Sequence, residues 1–121
     1  DVVVGAQFAN VGGTTNAGAV YVWAGGSGLS GTLAPTATLR VVGAATADQL
    51  GIATGQAIQC ADVNGDGTLD LVVGASNANV GSTVDAGAVY VWTGGTGLTA
   101  TVSPTSTLAA PSAAASDQLG S

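Results

Sequence analysis

Residues 1–52 of this chain align without a gap on residues 70–121, at an offset of 69. Asp1-Val-Val-Val-Gly-Ala6 matches Asp70-Leu-Val-Val-Gly-Ala75, and Gly18-Ala-Val-Tyr-Val-Trp23 recurs unchanged from Gly87 to Trp92. Asp48-Gln-Leu-Gly51 recurs as Asp117 to Gly120, and roughly 32 of the 52 pairs are identical. A long period built from short apolar runs is the mark of propellers, solenoids or arrays, in which each unit buries its faces against its neighbours.

Within each repeat, apolar runs lie between Gly-rich turns. Strands are expected near residues 56–61, 69–74, 88–92 and 106–109, with earlier copies near 2–5, 19–23 and 37–42. Val2-Val-Val4 and Ala19-Val-Tyr-Val-Trp23 do not alternate apolar with polar, so these strands are expected to be covered on both faces. A two-layer sandwich exposes one face and alternates more cleanly, whereas a propeller blade packs between two others. The expected fold is therefore all-β, made of four-stranded antiparallel propeller blades with about seven strands in total. Residues 1–51 are expected to form a blade lacking its first strand, and residues 52–121 a second blade plus the start of a third repeat. A ring has at least about four blades, so the chain is expected to be a fragment of a larger ring. Identical copies of 121 residues do not tile a period of 69.

The composition agrees and excludes several function classes. There are 20 Gly, and hydrophobic residues make up 46% of the chain, which argues against disorder. Arg40 is the lone basic side chain, and the net charge is −6. Binding to nucleic acid phosphates or to an anionic membrane needs Lys and Arg, so neither partner is expected. No apolar stretch approaches the roughly 18 residues of a membrane-spanning helix. Without His, Glu or Lys the chain lacks the usual general bases, and no catalytic residue is assigned.

The clearest chemistry lies in Asp62-Val-Asn-Gly-Asp-Gly-Thr-Leu-Asp70. Asp62, Asn64, Asp66 and Asp70 place oxygen side chains at loop positions 1, 3, 5 and 9, and Thr68 offers its backbone carbonyl. Gly67 permits the sharp turn that brings them together. Ca²⁺ takes six to eight oxygens at about 2.3–2.6 Å, whereas Zn²⁺ and copper favour His or Cys. Ca²⁺ is the expected cofactor. An EF-hand or dockerin-type loop needs a carboxylate at position 12 and a helix after it; here position 12 is Val73, inside a strand pattern.

The remaining Asp residues read as less specialised. Asp1 aligns with Asp70 and stands where the last ligand of a preceding loop would be. Asp48 and Asp117 read as turn residues. Asp85, paired with Asn16 in the repeat, suits an Asx turn. Cys60 reads as a small buried apolar residue beside Ile58.

On these residues the chain resembles the FG-GAP repeat family, which includes the amino-terminal propeller of integrin α subunits and many secreted bacterial proteins. The Phe-Gly landmark is represented by Leu50-Gly51 and Leu119-Gly120, and the Gly-Ala-Pro landmark by Gly74-Ala75-Ser76 and Gly5-Ala6-Gln7. The resemblance implies a Ca²⁺ held between the first two strands of a blade by Asp62, Asn64, Asp66, Thr68 and Asp70. In that family the ion is a structural staple. It also implies partner binding on loops away from the calcium hairpins, for which residues 7–17, 76–86, 24–36 and 93–105 are candidates.

The expected function is that of a non-enzymatic, calcium-stabilised extracellular or cell-surface scaffold for adhesion or ligand binding. Its expected partners are calcium, a protein or glycan ligand, and further blades of the same parent chain. A lectin-like propeller and an accessory domain of a secreted enzyme are the alternatives. A lectin would need an aromatic ring exposed among Trp23, Trp92, Tyr21 and Tyr90.

Overall fold

The computed structural model describes residues 1–52 and 57–121. Its strands are β1 (Val2–Ala6), β2 (Ala19–Trp23), β3 (Ala37–Leu39), β4 (Ile58–Ala61), β5 (Asp70–Ala75), β6 (Ala88–Trp92), β7 (Ala100–Val102) and β8 (Ser106–Leu108). Among the described residues there is no helix, and hence none long and apolar enough to cross a membrane. The strands form two four-stranded sheets, β1-β2-β3-β7 and β4-β5-β6-β8. The second is antiparallel throughout, a complete blade. Gln56, expected to open β4, lies outside the described residues.

Seven of these strands fall where the apolar runs predict them, and β7 is the addition. It comes from the second repeat but pairs in parallel with β3 of the first sheet, Ala37 opposite Ala100 and Leu39 opposite Val102. Ala100-Thr-Val102 is as short as β3 and β8, and it lies inside the 93–105 stretch that reads as a connecting loop. Tertiary contacts make it a strand. The Val102 carbonyl accepts from Arg40 N–H at 3.2 Å and from Trp92 Nε1 at 3.1 Å. Ala100 N–H in turn donates to the Thr36 carbonyl at 3.1 Å.

Register decides which face each side chain joins, because cross-strand partners share a face. Val2 pairs with Trp23 and Val4 with Tyr21, so these four residues line one face of the first sheet. Val20 and Val22 lie on the other with Leu39 and Ala37. In the second sheet, Leu71 pairs with Trp92 and Val73 with Tyr90. The core joins Val20, Val22, Ala37 and Leu39 of the first sheet to Leu71, Val73, Tyr90 and Trp92 of the second. Unlike faces of two copies of one repeat therefore pack against each other. Each Val or Leu buried there is worth about 1.5–3 kcal/mol.

The expectation that Val2-Val-Val4 is covered on both faces is not met: Val2 and Val4 are exposed. Among the described residues no second sheet covers that face, where the Leu33 carbonyl meets Trp23 Nε1, whereas the equivalent Leu71 and Val73 are buried under the first sheet.

The Asp-Gln-Leu-Gly segment seals the seam. Leu50 bridges Gly18 in parallel, and Gly51 N–H donates to the Gly74 carbonyl at 3.0 Å. Asn77 Nδ2 donates to Gln49 Oε1 at 2.9 Å, from one repeat to the other. At Gly18, φ is +82° and a Cβ would run into the Leu50 backbone, so the bridge requires glycine.

Candidate metal loop and its surroundings

Residues 62–70 run from the end of β4 to the start of β5, the hairpin at the edge of the complete blade. Its turns depend on Gly65 and Gly67, with φ of +80° and +85°. Short polar side chains then take up the loop's free amides, as expected of Asx-rich turns. Asp62 Oδ1 accepts from Gly65 N–H at 2.7 Å and Asp66 N–H at 3.1 Å, and its Oδ2 accepts from Gly67 N–H at 2.9 Å. Asn64 Oδ1 accepts from Asp66 N–H at 2.8 Å, while Asn64 Nδ2 donates to Asp66 Oδ2 at 2.9 Å. Asp66 Oδ1 accepts from Thr68 N–H at 2.7 Å. The Thr68 amide, then the Asn64 side chain, hold the Asp66 carboxyl below its ordinary value.

Asp70 stands apart because it is fully buried. Its Oδ2 accepts from Val63 N–H at 3.0 Å, and its Oδ1 from Gly94 N–H at 2.9 Å. One carboxylate thus ties the loop to the turn after β6. Asp1 repeats half of this device, accepting from Gly25 N–H at 2.7 Å, which agrees with its alignment on Asp70.

All five predicted ligands belong to one loop, and the donor chemistry, three carboxylates with an amide and a carbonyl oxygen, fits a hard cation. The side chains do not converge: among the described residues, no three Asp, Glu, His or Cys side chains are grouped as a metal site requires. The loop's own amides hold the Asp62 and Asp66 carboxylates instead. Asp62 Oδ1 already accepts from two amides, whereas the other carboxylate oxygens of Asp62, Asp66 and Asp70 accept one hydrogen bond each and keep a further lone pair.

Asp48 is buried at the blade seam and is more than a turn residue. Its Oδ2 accepts from Ala45 N–H at 2.7 Å, whereas among the described residues no donor stands in hydrogen-bonding geometry to its Oδ1. Burial pushes this carboxyl above its ordinary value. The Ala45 and Asn79 amides pull it back, and the Asp85 charge adds to the rise. Burial, with a smaller push from Asp48, raises the Tyr90 phenol. No sequence signal marked Asp48, because its burial depends on the next blade.

The other readings divide. Cys60 is exposed on β4, the edge strand of its sheet, where a lone cysteine lacks the covering layer expected for it. Asp85 and Asn16 both take left-handed φ, 51° and 52°, as Asx turns allow. Of the loops named as partner sites, residues 7–17 and 76–86 follow β1 and β5, at the end away from the metal loop. Residues 24–36 and 93–105 follow β2 and β6, at the metal-loop end, as the Gly94–Asp70 hydrogen bond shows. Tyr21 and Trp23 are half-buried, their rings tilted at 50° with centroids 6.1 Å apart, while Tyr90 and Trp92 are buried.

No curated protein and no solved structure matches the chain. Residues 54–92 match the family model of the FG-GAP repeat. That span covers the described residues of β4, the 62–70 loop, β5 and β6, the first three strands of the complete blade. That stretch is thus similar to an FG-GAP repeat, the unit from which propeller blades of that family are built.

Proposed function

We propose that this chain is a non-enzymatic propeller scaffold stapled by Ca²⁺, working outside the cell or at its surface in adhesion or ligand binding. The observation that carries this reading is the buried Asp70 carboxylate, which connects the 62–70 loop to the turn at Gly94. A cation held by Asp62, Asn64, Asp66, Asp70 and the Thr68 carbonyl would supply charge neutralisation for three carboxylates. The chain's own part is to hold the loop closed and join it to the blade edge. Extracellular modules bind Ca²⁺ with Kd of about 10⁻⁴–10⁻³ M, which suits an extracellular setting.

The absence of His, Glu and Lys supports a non-enzymatic role. A protein or glycan ligand would meet the loops of residues 7–17 and 76–86, and further blades of a longer chain would meet the open sheet faces. A lectin reading gains little from Trp23, whose repeat counterpart Trp92 is a seam residue.

The test is thermal unfolding of the chain in EDTA and across a calcium titration, with Asp66→Ala alongside. A ligand bound only by the folded state stabilises it by about 2.7 kcal/mol at 100 times Kd. The expected result is a melting temperature that rises with calcium in the native chain and stays flat in the variant. A melt indifferent to calcium removes the metal and, with it, the main support for extracellular placement.

A further inference from the structure

The seam inside the chain has two unlike halves, and each half is repeated, uncovered, on the outside of the molecule. Val73, under the first sheet, is 0% exposed, and its counterpart Val4 is 45% exposed. Leu39, facing the second sheet, is 0% exposed, and its counterpart Leu108 is 52% exposed. Strand pairing follows the same rule. β3 has β7 on its outer edge, whereas its counterpart β8 ends its sheet unpaired. The segment equivalent to β7 is residues 31–33, which have no strand partner among the described residues.

That segment is already in the pose of β7. Gly31 and Ala100, the first residue of each, take left-handed φ of +73° and +56°. The Leu33 carbonyl accepts from Trp23 Nε1 at 3.1 Å, as the Val102 carbonyl accepts from Trp92 Nε1 at 3.1 Å. An edge strand with free amides and a preformed strand to match it are the components of β-augmentation, and preformation lowers the ordering cost of binding.

We propose that a second copy of this chain docks head to tail on the first. Residues 31–33 of one copy add in parallel to β8 of the other, Gly31 opposite Ser106, Thr32 opposite Thr107 and Leu33 opposite Leu108. The Val2, Val4, Tyr21 and Trp23 face of the one then covers Val89, Leu108 and Leu119 of the other. The new seam differs from the internal one in several places: the docking sheet has no counterpart of β4, whose Ile58 packs against the internal core, Leu71 is replaced by Val2, and Val102 by Leu33. Asn77, which bonds Gln49, is replaced by the exposed Phe8, so Gln118 meets a ring where Gln49 meets an amide. Because the interface is heterologous, it propagates to a ring or an open filament. A blade of a longer chain would compete for the same two faces, which stand open among the described residues.

The inference rests on the blade architecture and uses no ligand of the metal loop, so it is tested in EDTA and in calcium. Sedimentation velocity of the native chain, from micromolar to near-millimolar concentration, is expected to show growth beyond the monomer. Val4→Asp and Leu108→Asp each remove one face, and each is expected to be monomeric. Mixed in equal amounts, they are expected to restore a dimer and nothing larger, since each keeps the face the other lacks. A native chain that stays monomeric, a Leu108→Asp chain that still associates, or a mixture without dimer overturns the proposal. If calcium still raises the melt of a monomeric chain, only the docking fails. Should either Asp variant lose its cooperative melt, Thr32→Cys and Thr107→Cys in a Cys60→Ser background take their place. With oxidised glutathione, a cross-linked dimer is expected between the two variants and within neither alone, and its absence is equally decisive.

Discussion

Leu50 and Leu119 occupy the same place in two copies of one repeat, yet Leu50 is 1% exposed and Leu119 is 38% exposed. Both lie beside a glycine with a left-handed φ, Gly18 and Gly87, through the same parallel bridge. The difference is the blade that follows. Leu50→Ala is therefore expected to cost about 2–5 kcal/mol, the range for emptying a packed core site. Leu119→Ala is expected to cost less than about 1 kcal/mol. Urea unfolding of the two variants checks this, and equal losses would refute the seam as described.

Gly18→Ala tests the bridge from the other side. The substitution places a Cβ against the Leu50 backbone at a φ of +82°. Left-handed backbone alone costs a non-glycine residue about 1–2 kcal/mol, and the clash adds to it. The expected loss exceeds that of Gly13→Ala, where φ is +88° and nothing lies within contact of the added carbon. Paired denaturant melts separate backbone strain from collision.

Asp70→Ala is expected to destabilise the chain in EDTA as well as in calcium. It strips two amides, Val63 and Gly94, of their acceptor at a buried site. Unmet buried donors and lost charged hydrogen bonds each cost about 1–3 kcal/mol. Asp66→Ala, at an exposed position, is expected to have its main effect in calcium. The difference between the two variants in EDTA measures how much of the loop is held without metal.

The pH dependence carries two opposite signs. The Asp48 carboxyl is raised in the folded chain by burial. The folded state therefore binds its proton more readily than the unfolded chain, which titrates near 3.8. Its contribution is fully present below that value and is lost as pH rises through the folded value. Asp66 is lowered by the Thr68 amide and the Asn64 side chain, so its contribution is present above 3.8 and lost as pH falls through its folded value. Asp48→Asn is expected to remove the first component, so that stability relative to the native chain rises on going from pH 4 to pH 7. Melts at both pH values check the sign.

The repeat made most of the architecture legible. Seven of eight strands, the tight turns and the composition of the 62–70 loop follow from periods, glycines and short polar side chains, all of which act over a few residues. Trp23 and Trp92, or Asp48 and Asp117, cannot be told apart this way, since each pair sits in the same local sequence. The loop is a mixed case. Its residues and turns could be read directly, but the pull of its own amides on Asp62 and Asp66 is a matter of geometry.

By itself, the sequence determined an all-β chain of repeated blades with an oxygen-rich loop between two strands, because local propensity and patterning specify elements and turns. The tertiary structure alone decided that β7 leaves its own repeat for β3, that Asp48 is buried at the seam, and that Val4 is open where Val73 is closed. Those outcomes depend on which blade stands next to which. Burial and strand pairing are properties of neighbours in space, and two identical stretches of sequence carry no record of which of them has one.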